Sequence, residues 1–144
     1  MIVPDINLLV YAVHRESPQH ERARAWLDAL MRGDEPIGLA WAVLLGFTRL
    51  VTSPRIMERP WAIADAVDLV NAWLAQPAVT IIDPMPEHWS LLSEMLIAAG
   101  RGANLTTDAH LATLCIERGA TLHSADNDFA RFRALRWHNP LAVG

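Results

Sequence analysis

Four aspartates stand out by position. Asp5 directly follows a short apolar run, Met1 to Pro4, and Asp126 and Asp128 follow another, Thr121 to Ser124. Asp108 is followed at three, four and seven residues by Leu111, Ala112 and Cys115. On a helix it therefore heads an apolar stripe facing the core, where a carboxylate needs a partner. Acids gathered at one edge without a counter-ion repel, and some of them protonate. A divalent cation resolves that repulsion. Hard oxygen ligands at this density suit Mg2+ or Mn2+, ions that activate water and stabilise charge in a phosphodiester displacement. Each acid also has a purely structural reading. Asp5 suits a helix cap, Asp108 a first-turn site favoured by the helix dipole, and Asp126-Asn127-Asp128 a polar turn.

The elements that must position these acids alternate between short apolar runs and longer amphipathic ones, a pattern that reads as α/β. Strands are expected at Met1–Pro4, Ile37–Ala40, Val79–Ile82 and Thr121–Ser124, with a last one near Trp137. Helices are expected at Ile6–Val13, at Trp41–Val51, from about Glu87 to Gly100, and at Thr107–Arg118. Ser17-Pro18 is the expected start of a helix reaching Arg32, and Pro60 of one carrying Ile63, Val67, Val70 and Leu74 at helical spacing. Strands separated by helices favour a parallel sheet, whose functional groups gather beyond the carboxyl ends of the strands. Asp5, Asp126 and Asp128 fall there.

With 144 residues and 16.0 kDa the chain fits a single domain spanning residues 1–144. Apolar residues at 52% against 19% charged exclude disorder. The longest uncharged apolar stretch, Ile37 to Phe47, is too short to span a bilayer. No basic region precedes an apolar leader, so a cytoplasmic location is expected. The lone Cys115 excludes an internal disulfide framework and a Cys-rich zinc site. A net charge of −4 excludes a general basic coat for nucleic acid. All twelve basic residues are Arg.

Taken together, Ile2-Val-Pro-Asp5-Ile-Asn7-Leu-Leu-Val-Tyr-Ala12, Thr107-Asp108-Ala-His-Leu-Ala112 and Thr121-Leu-His-Ser124-Ala-Asp126-Asn-Asp128-Phe129-Ala-Arg-Phe132 resemble the PIN-domain family, specifically the VapC-type ribonuclease toxins. The tail Leu135-Arg-Trp-His-Asn-Pro140 is similar to one subgroup of it. The resemblance implies a three-layer α/β/α sandwich with a central, mostly parallel sheet of four to five strands. It implies a Mg2+- or Mn2+-dependent endoribonuclease, the toxin of a type II toxin–antitoxin pair. Carried over by position, Asp5, Asp108 and Asp126 become catalytic, metal-binding acids and Asp128 an auxiliary ligand. Asn7 and Ser124 become groups that orient carboxylates and waters. RNA, a small antitoxin that inserts a segment over the acids, and a second copy of the chain are the implied partners. The Trp61–Leu74 helix and its neighbours are the expected dimer surface.

One departure matters. The family places a Glu in the helix after the second strand, and Gly46 stands at that position, with no other acid between Pro36 and Ile56. Two-metal chemistry is put in doubt more than metal binding itself. The alternative function is a PIN-like binding module that has lost catalysis and only engages a protein partner. A haloacid-dehalogenase-type phosphatase also begins with a strand-end Asp, but Asn7 replaces its second acid and the chain has no Lys. Gly100-Arg-Gly102 lacks the rest of a dinucleotide fingerprint, and Asp126-Asn-Asp128 lacks the Gly and Glu of a calcium loop. RNA contact is expected from Arg49 and Arg55, or from Arg131 and Arg133, since guanidinium forks match phosphate. Most His residues are expected at the surface, with His110 and His123 near the acids.

Overall fold

Strands as short as three or four residues persist only inside a sheet, and the computed structural model, which describes residues 1–143, assembles five of them. They are β1 (Ile2–Pro4), β2 (Ile37–Ala40), β3 (Val79–Ile82), β4 (Thr121–His123) and β5 (Arg136–His138). All pairs are parallel and the order is β3-β2-β1-β4-β5. The fully apolar run of β2 is buried at every residue, as an inner parallel strand covered on both faces must be.

Six helices make the crossovers: α1 (Ile6–Val13), α2 (His20–Arg32), α3 (Trp41–Val51), α4 (Ile63–Leu74), α5 (His88–Ala99) and α6 (Leu105–Arg118). From β1 to β3 the chain steps outward in one direction through α1 to α4, then returns across the sheet through α5 and α6 to β4. Right-handed crossovers put the first four helices on one face and the last two on the other. The packing agrees, since α1 meets α2 and α3, α3 meets α4, and α5 meets α6. The three-layer α/β/α expectation is met.

The strand order reverses between β1 and β4. That makes the carboxyl ends of these two strands the topological switch point, where parallel α/β sheets place their ligand crevices.

Two local expectations change. Ser17 does not cap α2 directly; its hydroxyl accepts from the Gln19 amide at 3.2 Å in a preceding turn, and the helix opens at His20. The fourth helix begins at Ile63 and not at Pro60, because the Trp61 amide donates to the Val51 carbonyl at 2.8 Å and holds the chain off the helical path. The segment after Ser124 forms a 3-10 turn at Asn127–Arg131. Among the described residues, no helix is long and apolar enough to cross a membrane.

Candidate active site

Parallel pairing of Pro4 with His123 brings the residues after β1 and β4 side by side, and the Asp5 amide donates to the His123 carbonyl at 2.9 Å. The next residue on each strand is Asp5 on one and Ser124 on the other. Ser124 is fully buried, and its hydroxyl is the hub of the site. It donates to Asp5 Oδ2 at 2.7 Å and accepts from the Asp126 amide at 3.0 Å and from Asn7 Nδ2 at 3.3 Å. One hydroxyl thus joins two of the expected acids to Asn7. The Asn7 carbonyl oxygen in turn accepts from the Ala125 amide at 3.4 Å.

Asp5 and Asp126 also do the structural work open to them in the sequence. Asp5 Oδ1 accepts from the Ile6 amide at 2.7 Å and caps α1, while Asp126 Oδ1 accepts from the Asp128 amide at 2.9 Å. These bonds fix the carboxylates, so capping and convergence are one arrangement.

Asp108 arrives from the first turn of α6, with Leu111, Ala112 and Cys115 buried beneath it. Burial pushes its carboxyl up to about 6 from an ordinary 3.8, and the charges of Asp5, Asp126 and Asp128 push in the same direction. The guanidinium of Arg131 pulls against them. Burial likewise raises Asp5, against the Ser124 and Ile6 hydrogen bonds that lower it, with the Asp126 charge raising it further. The acids therefore form one electrostatic unit with an excess of negative charge. Among the described residues, no three His, Cys, Asp or Glu side chains close into a ready-made metal cage. The donor chemistry still fits Mg2+, which keeps several of its waters and takes only one or two carboxylates directly.

Sequence reasoning missed three features. The first is Trp137 on β5, whose indole N–H donates to the Ser124 carbonyl at 3.0 Å, while the Ser124 amide donates to the His138 carbonyl. The edge strand thus grips the residue that holds Asp5. The second is the polar stripe of α6. His110, Thr113 and Glu117 share a face of α6 that packs against α5. His88 Nδ1 lies 3.1 Å from both Glu117 carboxylate oxygens, and His88 Nε2 lies 2.8 Å from His110 Nδ1. His88 and His20 are buried, contrary to the surface expectation, since each ring finds a polar partner inside. The i, i+7 pairing of His110 with Glu117 was the available signal.

The third is Ile6. A Cβ on Gly46 would lie 2.5 Å from Ile6 Cδ1, so the Ile6 side chain fills the space beside that glycine.

His123 turns from the acids toward Trp26, whose indole donates to its Nδ1 at 3.1 Å, and toward the His138 ring. Of the arginines, Arg131 bonds the Asp128 carbonyl at 3.2 Å and acts on Asp108, and Arg133 follows it on the same exposed loop. Arg49 lies eight residues after Trp41, ~12 Å down α3 from the carboxyl edge, and Arg55 lies beyond that helix. Both are exposed.

Comparison with known proteins bears on this geometry. The family model described as PIN domain matches residues 2–135. Ribonuclease VapC33 of Mycobacterium tuberculosis is 45% identical over 141 residues, covering 98% of this chain and 99% of that protein. Ribonuclease VapC37 of the same organism is 41% identical, covering 99% of each. Among solved structures, VapBC2 from Rickettsia felis, bound to a DNA fragment from its promoter, aligns with a TM-score of 0.70 at 20% identity, covering 96% of this chain and 98% of that one. At this identity the likeness concerns the fold.

Proposed function

Since the chain belongs to the PIN-domain family, in its VapC ribonuclease branch, we propose that it is a metal-dependent endoribonuclease and the toxin of a toxin–antitoxin pair. The observation that carries this reading is the Ser124 hydroxyl bridging Asp5 and the Asp126 loop at the β1/β4 switch point, with Asp108 electrostatically coupled to both. Asp5, Asp108 and Asp126 are the residues that would hold Mg2+ or Mn2+, with Asp128 at the exposed rim. When bound, the ion supplies an activated water and charge stabilisation for hydrolysis of an RNA phosphodiester.

The chain's own residues do the rest. Ser124 and Asn7 keep the Asp5 carboxylate from rotating, and α1 pins its other oxygen. Arg131 offsets part of the negative field that would otherwise repel a phosphate. Burial of Asp5 and the partial burial of Asp108 limit competing water and strengthen each electrostatic interaction.

Family membership supports a small antitoxin as protein partner. A second copy of the chain finds apolar surface on α4, where Ile63 and Val67 are exposed. The buried, unpaired Cys115, its thiol pushed up to about 12 by burial, fits a reducing cytoplasm.

One observation favours the rival reading of a non-catalytic partner-binding module: Ile6 packs where an additional acid would enter from Gly46. The deciding experiment is cleavage of a mixed RNA pool by antitoxin-free protein with Mg2+, with Mn2+ and with chelator, beside Asp5→Asn. Discrete products, lost with chelator and reduced at least ~100-fold in Asp5→Asn, are expected. A folded protein that cleaves nothing under any of these conditions would favour the binding module.

A further inference from the structure

Away from the acids, α5 and α6 part around a groove of about 570 Å³. Leu91, Met95 and Ala99 supply one wall from a single stripe of α5, and Ile116 closes it from α6. The volume lies within the range of small-ligand sites, ~300–1,000 Å³, and like them the groove is mostly apolar with few polar groups. It exists because Ala98 and Ala99 stand where longer side chains would fill it. The remaining wall runs from the end of the 3-10 turn into the following loop and brings Arg131 and Arg133 to the rim.

Arg131 joins this groove to the acids. Its Nε donates to the Asp128 carbonyl at 3.2 Å, its Nη2 lies 3.7 Å from Asp128 Oδ1, and its charge acts on Asp108. Arg133 is exposed and has no ion-pair partner among the described residues. An occupant of the groove therefore meets an apolar slot and two guanidiniums at its edge, one of which contacts Asp128. An unpaired nucleotide matches that sequence of surfaces. Its base has an apolar face and its phosphate suits a guanidinium fork.

We propose that the α5/α6 groove is a substrate subsite, which seats an unpaired base of the RNA beside the cleaved bond while Arg131 and Arg133 hold its phosphates. The inference rests on the ribonuclease reading and extends it from reaction to selectivity. An apolar subsite of this kind discriminates its occupants by roughly 10–200-fold.

Groove-filling substitutions test it without touching the acids. Ala99→Leu and, separately, Ala98→Leu keep good helix formers in α5. Three properties are read in folded protein with Mn2+: hydrolysis of bis(p-nitrophenyl) phosphate, kcat/KM on single-stranded RNAs that differ only beside the cleaved bond, and affinity for the antitoxin. The small diester reports on the acids alone. The expected result is unchanged diester hydrolysis together with a roughly 10-fold or greater fall in kcat/KM on the preferred RNA and a flattened base preference. Arg133→Gln should weaken all RNAs alike and reduce the salt dependence of binding.

Retained base preference in both Leu variants overturns the subsite. Lost antitoxin affinity with RNA cleavage intact overturns it too, and assigns the groove to the protein partner. Wild-type protein that cleaves neither diester nor RNA removes the ribonuclease reading itself, which is a distinguishable failure.

Discussion

A single buried hydroxyl organises the acids. Ser124 satisfies Asp5, Asn7 and the Asp126 amide at once, and no buried side-chain nitrogen or oxygen among the described residues lacks a partner. Ser124→Ala strands those groups, and a lost hydrogen bond to a charged group costs ~1.5–3 kcal/mol. Urea denaturation should show a loss of about that size, with a fall in metal affinity; an unchanged midpoint would mean water replaces the hydroxyl. His123 makes a different prediction. Burial, and to a lesser degree the neighbouring His138, lower its pKa from 6.5 to about 4. Protonation would also turn its Nδ1, which accepts from Trp26, into a donor facing a donor. The unfolded chain takes up this proton below 6.5 and the folded chain only near 4, so its contribution to stability is complete above 6.5 and is lost as pH falls through that window. His123→Gln should flatten this part of the stability–pH curve relative to wild type; parallel curves would show that the ring titrates normally.

The helices and strands were readable because their signals are local. The starts and ends of α1, α3, β2 and β3 follow from where apolar periodicity changes and where Gly and Pro interrupt it. The misplaced helix starts, at Pro18 and Pro60, share a cause. Proline permits a first turn, but competing hydrogen bonds at Ser17 and at Val51 draw the backbone elsewhere. Gly46 shows the limit more sharply. The sequence marks a missing acid, whereas only the packing of α1 on α3 shows Ile6 in that space. Gly46→Glu should therefore destabilise by ~1–3 kcal/mol through overpacking. Ile6→Ala in the same chain should recover most of the loss. Additive effects in a double-mutant cycle would show that the two positions do not interact.

For the whole molecule, the acids set stability against function. Burial, reinforced by the charges of Asp5, Asp126 and Asp128, raises Asp108 to about 6, so at pH 8 the metal-free fold holds a charge it would be more stable without. Above that pKa the charge cost is fully present; below 3.8 the group is neutral both folded and unfolded, and the cost disappears. Two treatments should raise the metal-free Tm at pH 8 by a few degrees: saturating Mg2+, by binding only the folded state, and Asp108→Asn, by removing a partly buried charge and its repulsion. In Asp108→Asn the added Mg2+ should give little further shift. Equal Mg2+ shifts in both proteins would separate Asp108 from the metal site.

From the sequence alone came the alternating elements, the acids at strand and helix ends, and the family. Each of these depends on nearest neighbours along the chain or on residue types in order. Which strands lie side by side is a property of the packed sheet. Pairing β1 with β4 sets Ser124 against Asp5 across 119 positions, and β5 adds Trp137. The burial of His88 and Glu117 and the α5/α6 groove arise in the same way, from helices meeting across a sheet. Periodicity specifies which face of an element turns inward, and only the tertiary structure decides what it meets there.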